Sequence, residues 1–164
     1  MEDSSETLIR EAKLNLQAGD VPAARAPLHT ILEQYPDHRE GLYYLAVCER
    51  QAGESTVAIE LLDRLISKHP RYGRAYQEYG HNLAANKDAE GATEAFEKAV
   101  KLNPAVMSSW QALLGRYRYL GSTDKAEDAG RHIQWQESMP VELRTVMSLL
   151  HESKWYVAEQ ICKA

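Results

Sequence analysis

The chain has 164 residues, of which 44% are hydrophobic and 26% charged, and its formal net charge is −5. That is one domain's length with an ordinary globular composition, and the acidic balance argues against nucleic-acid backbones as partners. No apolar run reaches the roughly 18 residues of a membrane span, and the acidic start Met1-Glu2-Asp3-Ser4-Ser5-Glu6 lacks the basic and apolar regions of a secretory signal.

Cys48 and Cys162 belong to no close-spaced motif. They read as reduced thiols, which makes the cytoplasm the expected compartment. Pro36, Pro70 and Pro104 stand 34 residues apart. Ala24, Ala58, Ala92 and Ala126 keep the same step, as do Gly19, Gly53 and Gly121. A period of that length marks stacked supersecondary units, and such arrays chiefly present surfaces.

Each unit reads as two helices. In the first, Leu8, Ala12 and Asn15 share a face that ends at Ala18-Gly19, where glycine tolerates the left-handed helix stop. Pro22 suits the first turn of the next helix, and Ala24, Leu28 and Ile31 carry it to Pro36. Pro27 falls inside that second helix and is expected to kink or delay it. The second unit repeats the pattern with Leu42, Leu45, Ala46 and Glu49, a break at Gly53-Glu54, then Ala58, Leu62 and Leu65.

In the third unit, Tyr76, Tyr79, Gly80 and Leu83 precede a break at Asn86-Lys87, and Ala92, Phe96 and Ala99 follow. Asn86 is expected to take over the stop from the missing glycine. The fourth has Trp110, Leu113 and Tyr117, a break at Gly121, then Ala126 and Ile133. After Pro140, Val146, Leu149, Leu150 and Ala158 read as a partial fifth unit shifted by about two residues, spanning 141–164. It stops inside its second helix without a polar capping helix, so the natural protein is expected to continue. No segment alternates as a strand does. The chain reads as all-α, a right-handed solenoid of four helix pairs (about 5–38, 39–72, 73–106 and 107–140) and the partial fifth.

These positions resemble tetratricopeptide repeats. Trp110-x-x-Leu113-x-x-x-Tyr117 with Ala126 is close to that family's signature, and Gly80, Ala92, Phe96, Ala99 and Pro104 match in the third unit. The departures are Leu114 where the family prefers a small residue, Gly130 where it prefers a large apolar one, and Pro140 two residues late. The fourth pair is therefore expected to pack irregularly.

Candidate chemistry is sparse. The nine glycines form no phosphate-cradling loop, and His29, His38, His69, His81, His132 and His151 include no His-x-x-x-His pair and no cysteine partner at zinc spacing. Glu127-Asp128, and Glu94 with Glu97, read as solvated helix faces. No serine or cysteine sits in a nucleophile motif. Neither catalysis, nor a cofactor, nor a metal is expected.

The resemblance implies instead that the first helix of each pair lines a concave groove. Carried onto this sequence, that face holds Ile9, Arg10, Lys13 and Gln17, then Tyr43, Tyr44, Val47, Arg50 and Gln51. Gln77, Glu78 and His81 follow, with Arg74 at the entrance, and then Gln111, Gly115, Arg118 and Tyr119. Tyr43, Tyr44 and Tyr119 lie off the core positions and suit a peptide, with Arg and Gln to orient it. Arg10, Lys13, Arg50, Arg74 and Arg118 outnumber Glu6, Glu40 and Glu78, which predicts a protein or peptide partner of some acidic character. The Lys/Asn/Lys/Arg clamp that some family members use on chaperone tails is absent, since its places hold Ile9, Lys13, Tyr44 and Glu78.

An alternative is an accessory region of a larger enzyme. The stretch from Gly121 through Pro140 to Ala158-Glu159 is similar to the N-terminal region of bacterial tetratricopeptide-repeat sulfotransferases, which implies an array that is inert by itself. Trp155, Val157 and Ile161 also supply an apolar motive for self-association at the C-terminal end.

Overall fold

The computed structural model describes residues 4–152 and 154–163, without the side chains of residues 155, 156 and 163. Among the described residues there are ten helices and no strand. They are α1 (Ser4–Gln17), α2 (Val21–Gln34), α3 (Arg39–Gln51), α4 (Ser55–Lys68), α5 (Gly73–Ala85), α6 (Ala89–Leu102), α7 (Met107–Tyr119), α8 (Thr123–Glu137), α9 (Val141–His151) and α10 (Trp155–Lys163). The helices α2, α4 and α6 each end two residues before Pro36, Pro70 and Pro104, as the restriction on residues preceding proline demands. The fold class is all-α, built from consecutive helix pairs.

Two compact bodies make up the chain, Met1–Pro70 with His81–Lys87, and Arg71–Gly80 with Asp88–Ala164. In the first, α1 packs on α2, α2 on α3, and α3 on both α4 and α1. The core holds Ile9, Ala12, Ala24, Leu28, Ile31, Leu45 and Cys48. Fully buried Ala12 and Ala24 let α1 and α2 approach closely, and Ala46 and Ala58 are equally buried on α3 and α4. Each buried Leu or Ile contributes on the order of 1.5–3 kcal/mol from area removed from water. Glu49, buried on α3, is held by a two-pronged bond from Arg25 on α2, Nε at 2.9 Å and Nη2 at 2.6 Å. Such forked pairs are the stronger class of charged contact and fix the relative orientation of two helices.

The second body repeats the close approach with different residues. A methyl group on Gly80 would stand 2.7 Å from the Phe96 ring, and one on Gly73 would stand 2.9 Å from Asn103 Cβ. Both glycines therefore let the first part of α5, up to Gly80, lie against α6. The carbonyl of Pro104 accepts two bonds, from Trp110 Nε1 at 2.9 Å and Gln136 Nε2 at 2.8 Å. The His132 ring stacks on Trp110 with centroids 4.1 Å apart. Tyr117 donates to Glu97 across α7 and α6 at 2.7 Å. That bond holds the Glu97 carboxyl below its ordinary range, while burial pushes the Tyr117 hydroxyl up. In the pair α7–α8, Ala126 is only half-buried and Ala129 takes the fully buried place. A cleft of about 600 Å³ opens beside Gly121, Ala126 and Gly130, where a large apolar side chain would otherwise fill space.

Two sequence expectations are corrected. Pro27 does not delay its helix, because α2 runs unbroken through it with the proline buried. The helix stop of the third pair is Lys87 and not Asn86. Lys87 adopts φ 65°, beside 78° for Gly19, 85° for Gly53 and 68° for Gly121, and it keeps the register of those glycines. A side chain there carries the left-handed cost of roughly 1–2 kcal/mol. Lys87→Gly is therefore expected to raise the unfolding free energy by about 1 kcal/mol in denaturant titration, whereas Lys87→Val lowers it.

Candidate functional site

The first body brings Lys13, Tyr43 and Tyr44 together on the facing flanks of α1 and α3. The Lys13 ammonium stands over the Tyr44 ring, 5.0 Å from its centroid. The two tyrosine rings meet edge to face with centroids 5.0 Å apart. Consecutive residues on a helix point about 100° apart, so one of the pair turns inward while the other spreads over the surface. Tyr43 is the inward one, only 6% exposed. This corrects the sequence reading of Tyr43 as an accessible anchor: its ring is core packing. Tyr44, Val47 and Arg50 are half-buried, as are Lys13 and, on the second half of α5, His81.

In the second body, Gln77 donates from Nε2 to Ser108 Oγ on α7. Arg74 faces Glu152, with Nη1 to Oε1 at 3.6 Å. Arg118 is exposed, and Tyr119 at the end of α7 is 82% exposed, its ring 5.6 Å from the Arg116 guanidinium. The arrangement therefore places an amphipathic aromatic beside a cation in each body, a pairing that gives contact area at low entropy cost. Sequence reasoning missed Glu152, because a contact more than two repeat periods away carries no signal in a register of 34. Of the apolar set read as a self-association surface, the Trp155 side chain lies outside the described residues. Val157 is exposed and Ile161 half-buried.

Among the described residues, no three or more His, Cys, Asp or Glu side chains are grouped to hold a metal ion, and no helix is long and apolar enough to cross a membrane. Burial pushes the Cys48 thiol up to about 11, so at neutral pH it is a protonated, enclosed group and not a nucleophile. Cys162 is exposed. A thiol reagent at neutral pH is expected to modify Cys162 alone in the folded chain and both cysteines after unfolding, as counted by mass. The same placement gives opposite results for neighbouring tyrosines. Tyr43→Ala is expected to lower the unfolding free energy by about 3 kcal/mol, and Tyr44→Ala to cost less than half as much.

The sequence profile of the tetratricopeptide repeat matches residues 9–73 and again 50–106. Anaphase-promoting complex subunit 3 of Schizosaccharomyces pombe is 30% identical over 99 residues, which cover 60% of this chain but 15% of that protein. Solved structures are similar over more of the chain. A thermophilic TPR protein of Thermus thermophilus superimposes with a TM-score of 0.70 at 21% identity, covering 96% of this chain and 87% of the other. MamA does so with a TM-score of 0.69 at 24% identity, covering 81% and 78%. The chain belongs to the tetratricopeptide repeat family.

Proposed function

We propose that the chain is a protein-interaction module, in which Lys13, Tyr44, Val47 and Arg50 on the α1–α3 flank of the first body hold a segment of a partner protein. The observation that carries this reading is the Lys13–Tyr44 pair. A half-buried ring held in one orientation by Tyr43 beneath it and by a cation beside it offers apolar area with little ordering left to lose on binding. The family relationship supports it, since one relative is named as a subunit of a complex. Lys13, Arg50 and nearby Arg10 give the flank a cationic field suited to a segment of some acidic character. The two free cysteines accord with a reducing, cytoplasmic setting. Because the chain spans 15% of that relative's length, a second reading makes the array one part of a longer protein, positioning an acceptor for a catalytic domain elsewhere.

Panning a randomised peptide library against the full chain tests the reading. Peptides selected on the wild type should bind Tyr44→Ala about 10- to 100-fold more weakly, with circular dichroism unchanged. Their affinity should also fall between low and physiological salt. Equal binding by the variant, or indifference to salt, would reject the α1–α3 flank as an acidic-segment site.

A further inference from the structure

In a stacked array each repeat touches only its neighbours. The last helices of the second body break that rule. Arg74, in the first turn of α5, meets Glu152 at the end of α9, more than two repeat periods later in sequence. The contact does not stand alone. Asn103 Nδ2, at the end of α6, donates to Ser148 Oγ on α9 at 3.2 Å, and Ser148 Oγ reaches Glu152 Oε1 at 3.4 Å. Lys154 Nζ lies 3.4 Å from Glu152 Oε2. Asn103 is itself preset for this: its side-chain oxygen accepts from the Ala105 N–H at 3.0 Å, which turns the amide nitrogen toward α9. Gly73 permits the arrangement, because a Cβ there would collide with Asn103 and push Arg74 away. The carboxylate ends almost enclosed, with the Glu152 side chain 3% exposed and the Arg74 side chain 34% exposed.

We propose that α9 is an internal ligand, seated on an acidic-helix docking site formed by Arg74 and Asn103 in the second body. The residues it uses, Ser148 and Glu152, are four apart and so share one helix face. The site thus reads a hydroxyl and a carboxylate one turn later. A partner helix bearing Ser or Thr followed four residues on by Glu or Asp presents the same two groups, and it gains Arg74 only when α9 withdraws. This rests on the reading of the chain as a protein-interaction module, and it adds a second surface whose access the chain itself controls. Enclosure makes such a site selective, since a carboxylate removed from water is tolerated only where cations and donors meet it.

The test uses the full chain in four forms: wild type, Glu152→Gln, the double variant Arg74→Glu with Glu152→Gln, and the charge swap Arg74→Glu with Glu152→Arg. The probe is a fluorescent peptide of residues 141–163 of this chain carrying Cys162→Ser. Glu152→Gln should speed amide exchange over residues 141–151 about tenfold, while α6 to α8 keep their protection, and the charge swap should restore slow exchange. The peptide should bind Glu152→Gln about tenfold more tightly than wild type, and the double variant with Arg74→Glu should lose that gain. Unchanged exchange in Glu152→Gln, or equal peptide binding by all forms, overturns the proposal. The outcome is separable from the α1–α3 reading, because Tyr44 lies in the first body and Tyr44→Ala should leave α9 exchange as it is.

Discussion

Two helices can approach to within a methyl group of each other only where one of them presents almost no side chain, and this chain meets that condition in each of its first three helix pairs. Ala12 and Ala24 serve the first pair, and Ala46 and Ala58 the second. In the third, Gly80 makes room for the Phe96 ring. Close approach fixes the rotation of each first helix about its axis. That rotation decides which flank turns inward with Tyr43 and which turns outward with Tyr44. The accessible chemistry of the first body is thus a consequence of where the small residues sit.

The constraint is relaxed at α7–α8, and the result is visible. Gly130 supplies no apolar bulk, Ala126 remains half-buried, and a cleft opens along α8. Beyond it the chain departs from repetitive packing altogether: α9 engages α5 and the end of α6 through Arg74 and Asn103. A helix held through a polar cluster is easier to release than one held by interlocked leucines, because water offers its groups nearly equivalent partners. Both bodies bury an apolar core, around Leu28, Ile31 and Leu45 in the first and around Phe96, Trp110 and Leu113 in the second, and the second adds the polar contact to α9.

Periodicity makes the helices, their stops and the buried alanines legible from sequence, because each depends on residues one pair apart in a fixed register. Lys87 shows the same rule in reverse: composition points to Asn86, whereas the register of Gly19 and Gly53 points one residue on. Tyr43 and Tyr44 look alike in sequence, and only the roll of α3 separates them. The local cost of Pro27 points to a kinked or delayed helix, yet α2 starts at Val21 and runs on to Gln34 with the proline buried inside it. The Arg74–Glu152 contact is invisible in sequence, since nothing in a repeat pattern marks a helix that folds back beyond its neighbour.

The most direct test of the account is hydrogen exchange along the whole chain, with and without a peptide selected for binding. Binding on the α1–α3 flank adds protection concentrated in α1 and α3, around Lys13 and Tyr44, with α2 and α4 little changed. Protection confined to α2 and α4 would place binding on the opposite helices and contradict it.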